Sequence, residues 1–190
     1  MSDKTVAHSH SSRIRKMAFC AVFTALIAVG AFIKIPVPVV PFTLQLLFTT
    51  LAGMLLGAGG GAVSVLVYLI IGLAGVPVFT GGGGIGYVLQ PTFGYLIGFC
   101  LGAALTGFIA GGGKPTFKRM LCSAFAGLAV VYFCGMVYCY LISNYVIDSP
   151  IALKPLFIYC FVLAVPGDIA LCIIASVIAK RIVPALKGMV

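Results

Sequence analysis

The stretch from Ile35 to Gly113 contains no Asp, Glu, Lys, Arg or His, and this is the strongest constraint that the sequence places on its fold. A membrane-spanning helix needs only about 20 apolar residues, so the stretch has room for three spans with short turns. Over the whole chain 62% of residues are hydrophobic and 8% are charged. That leaves too little polar surface to cover a globule in water, so the sequence predicts an integral membrane protein.

Three further apolar segments, 17–33, 120–147 and 155–179, flank the uncharged stretch. Glycine and proline are too abundant, and period-two alternation is too weak, for a membrane β-barrel. The sequence therefore predicts an all-α membrane protein, a polytopic bundle of six transmembrane helices. Residues 1–12 are predicted to form a disordered cytoplasmic tail and residues 13–190 a single membrane domain.

The basic residues predict the orientation of this bundle in the lipid bilayer. A cytoplasmic N-terminus leaves only Lys34 and Lys154 outside, because the other basic residues fall at the opposite ends of the spans. Both termini are then cytoplasmic. The clustering at span ends also speaks against a nucleic-acid partner, which would need one basic face. The predicted cytoplasmic basic residues are Lys4, Arg13, Arg15, Lys16, Lys114, Lys118, Arg119, Lys180, Arg181 and Lys187.

Asp168 is the one acidic residue in the apolar run from Pro155 to Ala179. Asp168 lies near the middle of this run, deep in the membrane if the run spans it. A charge there costs a few kcal/mol on insertion scales, and such residues usually mark a substrate or ion pathway. The alternative is a carboxyl group that is protonated or satisfied locally and has no ligand. The preceding Pro166-Gly167 pair predicts a break in the sixth helix just before Asp168, as in discontinuous transporter helices.

Two further segments predict polar groups on the outer side. Prolines exclude a helix over residues 35–41, so Thr43 and Gln45 follow an extended outer loop; capping of a helix explains Thr43 but not Gln45. The glycine run 81–84 lacks the Lys-Ser/Thr ending of a nucleotide-binding loop. Its N–H groups suit a carboxylate or a ureido oxygen, and its apolar neighbours favour a lid over a flexible connector.

Small residues at helical spacing predict close helix packing on two spans. Gly94, Gly98 and Gly102 form one such stripe on the fourth helix. On the first helix Ala21 and Ala25 belong to a stripe that serves either internal packing or a partner subunit. The full alanine stripe is Ala18, Ala21, Ala25 and Ala28.

Several of these segments resemble the BioY biotin transporters. The resemblance lies in residues 41–45, 72–79 with the glycine run, the Pro91-Thr92 pair, 94–99 and 166–168. It implies a six-helix S-component, the substrate-binding membrane subunit of an energy-coupling factor (ECF) transporter, in the cytoplasmic membrane. Such a subunit binds biotin at the outer side and works with a transmembrane coupling subunit and two ATPase subunits.

The resemblance also implies roles for particular residues. Asp168 is expected to accept hydrogen bonds from the ureido N–H groups of biotin, and Ala21 and Ala25 match the Ala-xxx-Ala pattern that docks on the coupling subunit. No catalytic residue, metal or cofactor is expected. The chain departs from the family at Leu171, where a lysine is frequent, and at Gln90 and Phe93, where glycine is frequent. The other expected contacts to biotin are Thr43, Gln45, Phe79, Gly82, Gly83, Tyr87, Thr92 and Tyr95.

Competing functions are a stand-alone transporter in which Asp168 carries a proton, an intramembrane enzyme and a channel. Intramembrane enzymes need clustered acidic, histidine or serine groups near a membrane surface, whereas these spans offer one carboxylate and no histidine. A channel needs repeated polar faces or rings of like charge. The sequence thus favours a transporter over both.

Overall fold

The computed structural model describes residues 2–35 and 40–186, and its helices form a bundle whose long members are membrane-length. A short antiparallel pair, β1 (Lys34–Ile35) with β2 (Phe42–Thr43), follows the first helix. A 3₁₀ helix (Ile85–Leu89) precedes α3, and a π-helix (Ile158–Val162) separates α5 from α6. The α-helices are α1 (Ser2–Phe32), α2 (Gln45–Leu73), α3 (Phe93–Gly111), α4 (Phe117–Tyr145), α5 (Leu153–Phe157) and α6 (Val165–Leu186).

Within the described residues, five helical stretches are long and apolar enough to cross a membrane. Hydrophobic side chains such as Phe108 and Phe133 remain more than 70% exposed on the outside of the bundle, where lipid rather than water suits them. The chain is therefore a multi-pass membrane protein. The stretches are 13–32, 45–73, 93–111, 117–145 and 153–185.

Helix α2 folds back on itself at Gly57, whose φ of 77° and ψ of −178° interrupt the helical backbone. Gln45 Nε2 donates a hydrogen bond of 2.8 Å to Tyr68 Oη, so the two ends of α2 meet. Nearer the turn, a Cβ on Gly61 would lie 2.7 Å from Gly53 Cα. The halves 45–56 and 58–73 are therefore antiparallel neighbours. The turn is made at Gly57, and residues 58–61 continue as helix.

Glycines allow α3 to lie against both of its neighbours. A Cβ on Gly107 would lie 2.4 Å from the backbone N of Ala58, at the α2 turn. On the other side, a Cβ on Gly98 would lie 2.8 Å from Val131 Cα in α4, and Gly94 and Gly102 also meet α4. The glycine stripe predicted on this helix is thus a real packing surface.

Helix α1 packs one face on the second half of α2. Thr24 Oγ1 lies 2.9 Å from Ser64 O, and Cys20 Sγ lies 3.6 Å from Gly60 O. Contacts at the same offset of 40 residues mean that α1 and this half of α2 run in the same direction. Ala21 and Ala25 lie on the other face of α1 and are exposed.

Three predicted boundaries differ from the structure or fall outside it. Helix α1 begins at Ser2, so its first turns extend through the residues predicted to be a disordered tail; a helix can continue beyond the membrane because its backbone groups pair internally. The break in the last span lies at the π-helix Ile158–Val162 and not at Pro166-Gly167. Residues 36–39, in the predicted outer loop, and Lys187 lie outside the described residues.

Proline does not break α6 because Pro166 occupies the first turn of that helix. The first four N–H groups of a helix have no partner within it, so a missing N–H at this position costs nothing. Regular pairing is established directly afterwards, since Asp168 N donates to Ala164 O at 3.1 Å. Asp168 is thereby held on a regular helix end rather than on an unwound segment.

Candidate functional site

A half-enclosed cavity lies at the end of the bundle where α2 and α3 begin, and most of its wall is apolar. The segment before α2, the loop before α3, and helices α3, α4 and α6 each contribute to it. Among the described residues that line it none is basic, and one, Asp168, is acidic. The lining residues are Val40, Pro41, Phe42, Thr43, Gln45, Leu46, Thr80, Tyr87, Thr92, Tyr95, Leu96, Phe99, Val131, Tyr132, Cys160, Ala164 and Asp168.

Asp168 projects from the first turn of α6, and the Tyr132 hydroxyl of α4 donates a hydrogen bond to its Oδ2. Tyr132 is itself fixed by edge-on ring contacts with Tyr95 and Phe161, at centroid distances of 6.1 and 5.1 Å. A carboxylate accepts several hydrogen bonds, so one donor leaves it with free acceptor capacity toward the cavity. The neighbouring Gly167 has no side chain, and the Phe42 ring packs there, where a Cβ would lie 2.5 Å away.

Gln45 is a second polar group in the wall, and it is 2% exposed. Its backbone N–H donates to Thr43 Oγ1 at 3.4 Å, and the same hydroxyl lies 3.5 Å from Gln45 Oε1. Its side-chain amide donates to Tyr68 Oη, which donates in turn to Val78 O at 3.0 Å. Thr43 thus helps to start α2, while Gln45 is held from the side away from the cavity.

The third polar group lies in the loop before α3. Tyr87 Oη is 2.9 Å from Thr80 Oγ1 and 3.4 Å from Thr92 Oγ1, so the loop closes on itself around this hydroxyl. Tyr95, in the first turn of α3, donates to Cys160 O at 3.3 Å and so connects α3 to the π-helix. The π-helix therefore supplies the carbonyl that Tyr95 bonds, and Cys160 lines the same cavity as Asp168.

The cavity thus brings together six of the residues singled out in the sequence: Thr43, Gln45, Tyr87, Thr92, Tyr95 and Asp168. Phe79 lies elsewhere. It is 1% exposed, and its ring fills the space beside Gly72, where a Cβ would lie 2.1 Å from it. Phe79 supports Tyr87 from behind, at a centroid distance of 4.5 Å, and does not form the wall.

Gly82 and Gly83 also lie away from the cavity wall. The N–H of Gly82 already donates to Phe79 O at 3.2 Å, and that of Gly84 donates to Gly72 O at 2.7 Å. A Cβ on Gly83 would lie 2.3 Å from Val76 O. These glycines allow the loop to fold tightly onto the end of α2, and two of the amides predicted to form an anion nest are occupied within the loop.

A basic group, Lys34, lies at the rim of the cavity. Lys34 Nζ donates a hydrogen bond of 2.9 Å to Thr80 O, and Thr80 lines the cavity. Leu171 occupies the position where the BioY transporters frequently have a lysine. It is 7% exposed and packs in the core one turn after Asp168.

Tyr132 and Tyr68 are two contributors that the sequence did not reveal. Both are buried tyrosines within apolar spans. A buried tyrosine hydroxyl needs a hydrogen-bond partner, and this need is all that the sequence indicates about them. The partner itself cannot be read from the sequence, because it lies 36 residues away for Tyr132 and 23 for Tyr68.

A largely apolar cavity with a few convergent polar groups, set in a bundle of membrane-length helices, defines a membrane protein that binds a small molecule. A family comparison agrees: the model of the BioY family matches residues 3–188. The chain belongs to the BioY family.

Curated relatives include a probable biotin transporter BioY of Lysinibacillus sphaericus, 46% identical over 90% of this chain and 88% of the relative. A biotin transporter BioY of Thermotoga maritima is 38% identical over 89% of this chain and 96% of the relative. Among solved structures, the S-component for biotin from an ECF-type ABC transporter matches with a TM-score of 0.75 and 28% identity. That match covers 96% of this chain and 94% of the other.

Proposed function

We propose that this chain is the biotin-binding S-component of an ECF-type transporter and mediates biotin uptake rather than catalysis. The observation that carries the proposal is the Asp168 carboxylate, oriented by Tyr132 and facing an otherwise largely apolar cavity. The family match and the solved S-component for biotin support the same ligand.

The chemistry of biotin suits the two ends of this cavity. Its ureido ring carries two N–H donors, which Asp168 accepts through charge-assisted hydrogen bonds that are strong away from water. Its apolar bicycle packs on side chains such as Leu96 and Phe99. The valerate carboxylate reaches the rim, where Lys34 is the available cation.

The membrane arrangement is part of the proposal. The fold-back at Gly57 brings residues 45 and 68 together and so supports two separate passes by α2, although each half is shorter than the roughly 20 residues of a straight span. Six crossings follow, with both termini in the cytoplasm and the cavity facing outward. The basic residues at the ends of the spans support this orientation in the cytoplasmic membrane.

The partners in this proposal are a transmembrane coupling subunit and two ATPase subunits. Ala21 and Ala25 lie on the exposed face of α1, so they do not serve the packing of this bundle. Small residues on an exposed face let another helix approach closely, which supports docking of the coupling subunit there.

Calorimetric titration of the purified chain tests the biotin assignment. Biotin is expected to bind one to one, and desthiobiotin, which keeps the ureido ring but lacks the thioether ring, is expected to compete more weakly. Thiamine and riboflavin serve as unrelated vitamins and are expected not to compete. A folded helical protein that gives no heat with biotin would refute the proposal.

One alternative rests on a specific observation, since an intramembrane carboxyl such as Asp168 is also a possible proton carrier. In that case the chain alone would concentrate biotin in vesicles when a proton gradient is imposed. Vesicles containing only this chain distinguish the two functions. The S-component proposal expects no accumulation, with or without the gradient.

A further inference from the structure

Tyr68 does not line the cavity, yet it connects the cavity wall to the loop that follows α2. Its hydroxyl receives the Gln45 side-chain N–H at 2.8 Å and donates to Val78 O at 3.0 Å. Tyr68 is 1% exposed and Gln45 is 2% exposed, so water does not compete for either hydrogen bond.

The direction of these two hydrogen bonds follows from the proton count. A backbone carbonyl only accepts, so the single proton of the Tyr68 hydroxyl goes to Val78 O. The Tyr68 oxygen must then act as an acceptor toward Gln45, and only the amide nitrogen of Gln45 can donate. Gln45 Oε1 is therefore turned away from Tyr68. It accepts a hydrogen bond of 3.5 Å from the Thr43 hydroxyl, and its second lone pair is left for a ligand donor.

We propose that Tyr68 is a positioning residue: it fixes the Gln45 amide with its oxygen available to the ligand, and it couples that amide to the loop 76–84. This inference rests on the proposed function, since a ureido N–H of biotin is the donor that Gln45 Oε1 would meet. The cavity then presents two acceptors, Asp168 and Gln45, to a ligand with two N–H donors.

The coupling to the loop involves the Tyr68 ring as well as its hydroxyl. The ring makes an edge-on contact with Phe79 at 5.3 Å, next to the hydrogen-bonded Val78. Phe79 contacts Tyr87, whose hydroxyl lies 2.9 Å from Thr80 Oγ1, and both Tyr87 and Thr80 line the cavity. A disturbance at Tyr68 thus reaches the wall by two routes, through Gln45 directly and through the loop.

A double-mutant cycle on biotin affinity tests the role of Tyr68 through Gln45. Tyr68→Phe keeps the ring contact but removes the hydroxyl, and is expected to weaken biotin binding about tenfold. In a Gln45→Ala background the same change is expected to weaken binding less than about twofold, because the amide it positions is gone. The matched control is Tyr138→Phe, which removes a tyrosine hydrogen bond to Val88 O without touching Gln45; its effect is expected to stay under about twofold.

Hydrogen–deuterium exchange in the ligand-free protein is the second readout. Tyr68→Phe is expected to speed exchange across residues 76–84, while Tyr138→Phe leaves that segment at the parent rate. Equal affinity losses from Tyr68→Phe in both backgrounds would show a merely structural tyrosine and overturn the proposal. If the parent chain binds no biotin, the proposed function fails by itself; unchanged exchange at 76–84 in Tyr68→Phe would then refute the coupling, and faster exchange would support it.

Discussion

Among the residues that the structure describes, the hydroxyl of Tyr132 is the one hydrogen-bond donor to the Asp168 carboxylate. The backbone N–H of Asp168 donates to Ala164 O just before α6, so the remaining capacity of the residue is that of an acceptor facing the cavity. A ligand with N–H donors complements such a group, whereas a ligand with only acceptors does not.

Exchange of Asp168 for Asn tests this acceptor role. Asn keeps the shape but turns one acceptor into a donor, so it loses a charge-assisted bond and sets an N–H against a ureido N–H. Biotin affinity is expected to fall by about 2–4 kcal/mol, or roughly thirtyfold to a thousandfold. Calorimetric titration measures the change.

The control for this exchange is Asp148→Asn. Asp148 is exposed after α4 and has a φ of 48°, a conformation that Asn tolerates well, so the variant loses the same charge without backbone strain. Parent-like binding is expected. An Asp168→Asn affinity within about threefold of the parent, at unchanged thermal stability, would remove Asp168 from the site.

Lys34 is expected to contribute a small electrostatic term at the rim. Lys34→Gln should weaken biotin binding about threefold, since exposed ion pairs are weak, and should leave the affinity for the uncharged biotin amide unchanged. Lys154→Gln, an exposed basic residue before the π-helix, is the control. Equal effects of Lys34→Gln on biotin and on its amide would place the valerate elsewhere.

Sequence reasoning at this scale singles out residues whose polarity is out of place in an apolar span. Asp168 and Gln45 are such residues, and both reach the cavity wall. It could not place Phe79 in advance, because an aromatic side chain packs equally well on a ligand or on Gly72, where the structure has it. It also missed Tyr132, whose role depends on a partner in another helix.

Helix α3 occupies the centre of the bundle because glycines remove side chains along its contacts with α2 and α4. Of these positions, Gly107 is the one where an added Cβ would come closest to backbone atoms, 2.4 Å from those of the α2 turn. That contact holds the fold-back at Gly57 in place, and the cavity lies at the other end of the same helices.

Exchange of Gly107 for Ala tests this packing. The atoms that the new Cβ would meet belong to the backbone of α2 and cannot shift without disturbing that helix. The variant should therefore lose about 1–3 kcal/mol of stability. Gly111→Ala is the matched control at the end of α3, because its added Cβ would meet nothing within 4 Å. Thermal unfolding in detergent compares the two variants, and equal unfolding temperatures would contradict the close approach.

The elements illustrate where local sequence rules hold and where they fail. The stripe of Gly94, Gly98 and Gly102 was predictable because its spacing repeats each helical turn. The interruption in the last span was not, because a π-helix of ordinary apolar residues carries no distinctive composition. The break was predicted at residues 166–167 because of the proline and glycine there, but the first turn of α6 accommodates both residues.

At the scale of the whole molecule, the helix directions determine which ends share a side of the membrane. Helix α1 runs with the second half of α2, and Arg119 Nε donates to Ile109 O at 2.8 Å, placing a basic side chain near the end of α3. Basic residues at that end, and the cavity at the start of α3, support the proposed assignment of a cytoplasmic and an outer side.

Thiol labelling in a cysteine-free background tests this orientation. Single cysteines at Ser9 and Thr116 are expected to resist an impermeant reagent added to intact cells. The exposed Ser149, between α4 and α5, provides the outer control and is expected to react as Ser149→Cys. Labelling of Thr116→Cys from outside would contradict the proposed orientation of the bundle.

The exposed alanines of α1 lead to the prediction about assembly. Ala21 and Ala25 are exposed, whereas Phe23 and Ile27 on the opposite face are buried. A bulky side chain at either alanine should therefore leave the fold and the cavity intact but keep a partner helix at a distance. Ala21→Trp and Ala25→Trp are each expected to abolish ATP-driven uptake and to leave biotin binding in detergent at the parent affinity.

The control is Ala129→Trp, an exposed alanine on α4, which should retain uptake. Pull-down of the coupling subunit by each variant separates docking from later steps, because only the α1 variants are expected to lose the partner. Loss of biotin binding together with uptake would instead show a misfolded bundle and a structural stripe. Full uptake by both α1 variants would exclude this face as the docking surface, since a tryptophan there leaves no room for close helix contact.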